Sequence, residues 1–179
     1  KCRRYVVDCS EELAKIANII GPAKNIEIAV RFVLPRERAS SAHDFSSKFG
    51  APEHICVELL KQVVQLGYTP LPTFHPGSQS TEPQTYVRHI EAAARIASAA
   101  NVAISKLNVG GGFPANYQRS TGGPLGPFFA MIPASTTLAF GKGVLQGAGV
   151  TLASSAAIGY GAGAVAAALQ GLGLAAAAT

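Results

Sequence analysis

The sequence predicts an α/β fold built on a parallel sheet. Over its first two-thirds, short apolar runs alternate with amphipathic helical segments. The run IEIAVRFVL at 26–34 is almost continuously apolar, as is typical of a strand covered by helices on both faces. Repeated strand–helix units favour parallel pairing. The carboxyl ends of the strands then lie along one edge, where both barrels and open sheets hold their binding sites.

The first unit begins with YVVDC at 5–9, a short run rich in β-forming residues. Ser10 is predicted to cap the following helix, with Glu11 and Glu12 in its positive first turn. Apolar residues then recur at helical spacing until Gly21 and the proline after it, which end the helix. The strand at 26–34 follows.

The next segment, 35–50, is polar and long for a connection, which makes it a candidate functional loop. A helix is predicted from Pro52 to just before Gly67. LPTFH at 71–75 is predicted as a third strand.

A further helix begins around Thr81–Pro83, and AISKLNV at 103–109 is predicted as a fourth strand. Gly110, Gly111 and Gly112 close that strand. The notable residues of the chain therefore follow predicted strands, at the edge where a site is expected.

The charge distribution argues against nucleic-acid binding. The net charge is +5, but residues 92–179 contain four Lys or Arg and no acidic residue. The surplus therefore comes from missing acids, and these four bases are scattered instead of clustered on one face. Three cysteines fit no metal spacing and no even disulfide framework. We expect reduced thiols, a cytoplasmic protein and no metal site.

The segment 143–179 contains no charged residue and consists mostly of Ala, Gly, Leu, Ser and Thr. Its run AAIGYGAGAVAAALQGLGLAAAA at 156–178 is long enough to span a bilayer, but Ala and Gly supply little transfer energy and no aromatic or basic residues mark the ends of that run. We expect a divergent, low-complexity continuation of the fold, and a membrane-associated tail is the alternative.

Two corners carry residues suited to an anionic or flat ligand. The three glycines permit close backbone approach, and their N–H groups can face an anion. Ser78, beside Gly77, can donate a hydrogen bond to a phosphate, although serine is also common in turns. His75 can stack on a ring or transfer a proton, although a purely structural histidine is the commoner case.

Together these motifs resemble a known family. FHPGSQ followed by LNVGGGFPANY is similar to the H-V-G-S-Q and L-D-I-G-G-G-F-P motifs of the fold-type III pyridoxal-phosphate (PLP) decarboxylases. Those enzymes act on ornithine, lysine, arginine or diaminopimelate. DFSSKFG, YVVDCSEELAKI and VRFVLP resemble further family segments in the same order. The resemblance implies a partial (β/α)8 barrel, about strands four to eight, with the barrel fragment at 1–142 and its divergent continuation at 143–179.

The resemblance also implies roles for individual residues. His75 matches the catalytic-site histidine that stacks on the pyridine ring, and Arg31 matches a strand arginine near the cofactor. Lys48 matches a lysine at the dimer interface. The phosphate of PLP is expected to bind at Ser78, Gly110, Gly111 and Gly112.

Three departures from the family pattern bear on activity. The family's cofactor-linking lysine is expected upstream of Lys1. Gly147 and Val150 stand where the family has a glutamate and an arginine. Pro76 replaces a valine, which removes one backbone donor. We expect these 179 residues alone to be inactive.

The resemblance thus predicts an ornithine or lysine decarboxylase of polyamine synthesis, using PLP, acting on a basic amino acid and working as a homodimer. The alternative from another class is a non-catalytic relative that regulates protein partners through the same barrel.

Overall fold

The computed structural model describes residues 2–23, 25–35, 48–116 and 122–140. Three strands form a parallel sheet in the order β1–β2–β3, which confirms the α/β fold and the parallel pairing. The strands are β1 (Arg4–Val7), β2 (Glu27–Arg31) and β3 (Thr69–Thr73). The helices are α1 (Ser10–Ile20), α2 (Glu53–Gln65), α3 (Gln84–Ala100) and α4 (Gly126–Phe140).

Strand β2 is the centre of the sheet and of the core. Its consecutive residues Ile28, Ala29 and Val30 are all buried, so both of its faces are covered. That burial explains its continuous apolar sequence. Helix α2 packs beside β2 and β3, with Leu59, Leu60 and other apolar side chains inward.

The start of α1 differs from the prediction. Cys9 occupies the N-cap position with an extended backbone, and Ser10 is already helical. The Ser10 hydroxyl therefore hydrogen-bonds the Glu11 carboxylate at 3.3 Å and caps no backbone amide. The helix ends as predicted, with Gly21 at φ +74° and its N–H donated to Ala17 O.

The predicted fourth strand forms only one bridge with β3, between Thr73 and Asn108. Asn108 N–H donates to Pro72 O at 3.0 Å, and Phe74 N–H donates to Asn108 O at 3.3 Å. Thr69 N–H and Thr73 O already bond residues of the β2 segment, so Pro70 and Pro72 face the other side of β3. Because proline has no N–H to donate, the ladder with 103–109 stays incomplete.

Helix α4 was not predicted from sequence. It is apolar on every side and contains Pro133, so no helical periodicity marks it. It packs against α3, and its Phe128, Phe129 and Ile132 side chains are buried. Packing against α3 therefore stabilises α4, although its local sequence does not indicate a helix.

The segment predicted as a divergent continuation, 143–179, lies outside the described residues, as does most of the polar loop 35–50. Within the four described ranges, no helix combines the length and apolar character that a bilayer crossing requires.

Candidate functional site

Three side chains follow the carboxyl ends of the three strands. Asp8 comes directly after β1, Arg31 ends β2, and His75 lies two residues beyond β3. They are close enough to interact electrostatically: burial lowers the pKa of Arg31 while the Asp8 charge raises it, and Arg31 in turn acts on His75. The parallel sheet thus brings a carboxylate, a guanidinium and an imidazole together at one edge.

The surroundings of His75 favour the neutral form of its ring. Burial and then the neighbouring Arg31 charge lower its pKa below the ordinary histidine value. The Gly77 N–H donates to His75 Nδ1 at 3.2 Å, which assigns the ring proton of the neutral form to Nε2. A neutral imidazole can lie against a flat aromatic ligand without adding charge to it.

We call residues 75–80 the histidine corner and residues 110–115 the glycine loop, and their backbones are in direct contact. A Cβ on Gly112 would lie 1.9 Å from Gly77 O, and one on Gly110 would lie 2.1 Å from Phe74 O. Both glycines also have positive φ, +90° and +68°. Only glycine fits at these two positions.

The carbonyl groups of the glycine loop are turned toward the protein. Tyr86 donates its hydroxyl to Gly111 O at 2.8 Å, and the Ser80 N–H donates to Gly112 O at 2.8 Å. Within the described part of the chain, the N–H groups of Gly111 and Gly112 have no hydrogen-bond partner. These two amides are therefore available to an anion.

Two serine hydroxyls lie in the histidine corner. Ser78 is half-buried, and Ser80 is fully buried with no partner for its Oγ among the described residues. A buried hydroxyl without a partner costs about 1–3 kcal/mol. Ser78, which is partly exposed, is the hydroxyl of the corner that a ligand can reach.

The segment 48–50 lies beside Asp8 and Arg31 at the carboxyl ends of β1 and β2. The Arg31 guanidinium lies over the Phe49 ring, 5.1 Å from its centroid, and Phe49 is about half exposed. Gly50 N–H donates to Asp8 Oδ2 at 2.9 Å, which ties this segment to β1. Lys48 is exposed beside them, outside the contacts of the corner and the loop.

An aromatic cluster supports the glycine loop from behind. Tyr86 stacks on Phe113 with centroids 4.8 Å apart, and Phe128 of α4 meets both rings edge-on. Burial raises the pKa of Tyr86, so its hydroxyl stays protonated and remains a donor to Gly111 O. The side chains of α3 and α4 in this cluster therefore hold Tyr86 in place to donate to the Gly111 carbonyl.

The structure brings together His75, Ser78 and the three glycines, with Arg31 alongside, and leaves Lys48 on the exposed flank.

Sequence reasoning missed Asp8, Gln79 and Tyr86. Asp8 could have been found from its place after a strand, as His75 was. The contacts of Gln79 and Tyr86 join residues 36 and 25 apart and have no local signal.

The comparisons with known proteins decide the family. Residues 1–132 match the family model described as "Pyridoxal-dependent decarboxylase, pyridoxal binding domain". The chain belongs to this family, the fold-type III PLP-dependent decarboxylases. Its cofactor is PLP, and the fold is part of the PLP-binding barrel. The resemblance read from the motifs is confirmed.

One curated relative is the lysine/ornithine decarboxylase of Selenomonas ruminantium. It is 31% identical over 116 residues, which cover 63% of this chain and 28% of the relative. The chain therefore spans less than a third of that enzyme's length.

Solved structures agree on the fold. A mutant of SrLDC in complex with PLP has a TM-score of 0.66 at 27% identity, covering 77% of this chain and 36% of that one. The lysine/ornithine decarboxylase of Vibrio vulnificus, solved with cadaverine, has a TM-score of 0.61 at 28% identity, with 76% and 35% covered. The arginine decarboxylase of Paramecium bursaria Chlorella virus has a TM-score of 0.61 at 25% identity, with 77% and 36% covered.

The described residues fit the phosphate end of this cofactor. Two glycine amides without partners among the described residues, the partly exposed Ser78 hydroxyl and a nearby guanidinium suit a phosphate, and a half-buried imidazole suits a pyridine ring. Gly147 and Val150, which stand in place of the family's glutamate and arginine, lie outside the described residues.

Proposed function

We propose that this chain forms the PLP-binding part of a decarboxylase that acts on ornithine or lysine. The observation that carries the proposal is the contact between the histidine corner and the glycine loop, where Gly112 lies too close to Gly77 O for any side chain. That contact brings the amides of the glycine loop beside the serine and histidine of the corner at the strand ends. Membership of the family supplies the reaction class.

Each residue has a proposed task. His75 lies against the pyridine ring as a neutral imidazole, because burial and Arg31 lower its pKa. The amides of Gly111 and Gly112, after the tight turn at Gly110, bind the phosphate together with the Ser78 hydroxyl. Arg31 would supply positive charge beside them, and the Asp8 charge partly offsets that of the guanidinium.

Bound PLP supplies an electron-withdrawing ring that accepts the electron pair left when CO2 departs. The chain's own residues would hold the group, with His75 against the ring and the glycine amides at the phosphate. Phe74, directly before His75, is buried against Tyr86 and His89, so the corner rests on a packed layer.

The substrate and assembly are further parts of the proposal. The relatives are named lysine/ornithine and arginine decarboxylases, and the Vibrio structure contains the diamine cadaverine. We infer a basic amino-acid substrate and a role in polyamine synthesis in the cytoplasm. The exposed Lys48 on the outer flank is proposed to contact a second subunit of a homodimer.

The test uses the purified product of the complete gene. We expect it to bind PLP and to release CO2 from ornithine or lysine. His75→Ala should weaken PLP binding and reduce turnover by at least about tenfold, whereas His54→Ala, on the exposed face of α2, should change neither. A protein with no PLP absorbance and no CO2 release from basic amino acids would overturn the proposal.

A second candidate is a non-catalytic relative that regulates a protein partner. Gly147 and Val150 favour it, because the family uses a glutamate at the ring nitrogen and an arginine at the phosphate. Binding of PLP without CO2 release from any basic amino acid would support this candidate over the enzyme.

A further inference from the structure

Gln79 joins the histidine corner to the glycine loop through two reciprocal hydrogen bonds. Its Nε2 donates to Ala115 O at 2.9 Å, and Ala115 N–H donates to its Oε1 at 2.7 Å. The side-chain amide thus pairs with the backbone of residue 115 as a neighbouring strand would. We call this pair of bonds the Gln79 clamp.

The backbone of Gln79 is unusual for a residue with a side chain. Its φ is +55°, in the left-handed region, where glycine is the ordinary choice. Gly77, Gly110 and Gly112 hold the other positive-φ positions of the site. A glycine at position 79 would adopt this φ without strain. A glutamine kept in this conformation indicates that its side chain does something that the turn alone does not require.

The clamp acts on the same two segments as the other contacts of the site. Ser80 N–H bonds Gly112 O, and Tyr86 bonds Gly111 O, so the middle of the loop is already held. Gln79 bonds the far end of the loop at Ala115 and completes this attachment. With its middle and its far end held, the loop keeps the amides of Gly111 and Gly112 beside the histidine corner.

We propose that Gln79 is a positioning residue that holds the glycine loop against the histidine corner, and so sets the phosphate-binding geometry. This inference rests on the proposed function. It predicts an effect specific to the phosphate group: losing the clamp weakens binding of PLP but not of pyridoxal, which has the same ring without the phosphate.

The experiment compares two variants in the product of the complete gene. Gln79→Gly removes both hydrogen bonds and relieves the positive φ, and Gln79→Asn tolerates the backbone but is too short to reach Ala115. Both should weaken PLP binding about tenfold, as expected for two lost hydrogen bonds, with the affinity for pyridoxal unchanged. Amide exchange at Ala115 should become faster in both, because its N–H loses its acceptor.

The matched control is Asn101→Gly. Asn101 also has positive φ, +53°, but lies at the end of α3 away from the site. This variant relieves the same backbone strain and should leave both affinities and Ala115 exchange unchanged.

The isosteric variant Gln79→Glu adds a reversible test. An ionised carboxylate still accepts from Ala115 N–H but repels Ala115 O, whereas the protonated acid can donate to that oxygen. The ratio of its PLP affinity to that of the wild type should therefore rise as pH falls through the carboxyl pKa.

The outcomes separate the two proposals. If the wild type binds PLP and the Gln79 variants bind it equally well, the positioning role is wrong while the proposed function stands. Equal losses for PLP and pyridoxal would also overturn it, since they indicate a general loss of structure. A wild-type protein that binds no PLP would overturn the proposed function and the role of Gln79 with it.

Discussion

At the amino ends of the strands, the Glu27 carboxylate is held by Arg4, whose Nε lies 2.7 Å from Oε2, and by Lys106. At the carboxyl ends, the half-buried Arg31 lowers the pKa of its neighbour His75, and glycine amides lack partners within the described residues. At the amino end, the partly buried charge is paired within the chain, which stabilises the fold. At the carboxyl end, hydrogen-bond donors remain available, which does not stabilise the fold but permits ligand binding.

The two ends also use backbone geometry differently. At the amino end, Arg4 and Glu27 occupy paired strand positions, and Lys106 reaches Glu27 from the segment 103–109 through its long side chain. At the carboxyl end, Gly77, Gly110, Gly112 and Gln79 all have positive φ. Positive φ also occurs at Gly21, Gly67 and Asn101, where helices end, but at the carboxyl end it recurs in two segments that contact each other.

The largest expected effect is at the binding end. Gly112→Ala would place a Cβ 1.9 Å from Gly77 O at φ +90°, so the loop must separate from the corner. We expect lost PLP binding and a free energy of unfolding lower by about 2–5 kcal/mol. Denaturant unfolding and PLP titration measure both. Gly123→Ala is the control, since nothing lies within 4 Å of its Cβ. A fully active Gly112→Ala would contradict the described contact.

The next effect separates stability from binding. Glu27→Gln removes the charge that Arg4 and Lys106 share, and the Glu27 side chain is only 16% exposed. We expect a loss of about 1–2 kcal/mol, discounted because both partners are partly solvated. PLP affinity should stay within about twofold. The exposed Glu58→Gln, which breaks the surface pair with Lys61, should have no measurable effect. A large loss of PLP affinity in Glu27→Gln would contradict the conclusion that the amino end serves stability and not binding.

The same carboxylate gives a pH dependence. Burial alone would raise the pKa of Glu27, but hydrogen bonds from Lys106 and Arg4 outweigh it and lower the pKa. Its stabilisation is therefore complete above the unfolded-state value and is lost as pH falls through the folded value. Acid unfolding of Glu27→Gln should show a smaller loss over that window than the wild type.

A smaller acid effect is expected behind the binding end. His89 stacks on Phe74 with centroids 4.8 Å apart, and burial is the main cause that lowers its pKa. The unfolded chain takes up a proton below about pH 6.5 while the folded chain does not, so folding weakens from there down to the folded pKa. His89→Gln should flatten that loss, by about 1 kcal/mol or less, and the exposed His54→Gln should not. An unchanged stability profile in His89→Gln would contradict this.

The smallest effect is at Asp8. Asp8→Asn keeps an oxygen to accept from Gly50 N–H but removes the charge beside Arg31. We expect unfolding free energy to change by less than about 1 kcal/mol. The pKa of His75 should fall further, because the Arg31 charge is no longer offset, and an NMR titration would detect this. An upward shift would show that Asp8 does not act through Arg31.

How far the sequence predicts this structure depends on whether a feature is local. The first three strands and helices were predicted because burial on one or two faces leaves a periodic pattern in each segment. The incomplete fourth strand was not, although its cause was visible: Pro70 and Pro72 stand in the strand that would have paired with it. Helix α4 lacks periodicity altogether and forms through its contact with α3.

By itself, the sequence determined the family and the cofactor, and it predicted that the site lies at the carboxyl ends of the strands. Glycine, histidine and serine at fixed spacing carry that information, because each is required by its own backbone conformation or chemistry. Only the tertiary structure decided which groups meet across the chain: Gly112 with Gly77, Tyr86 with Gly111 and Gln79 with Ala115. These contacts join residues far apart in sequence, and their distances depend on how the helix layer packs against the sheet.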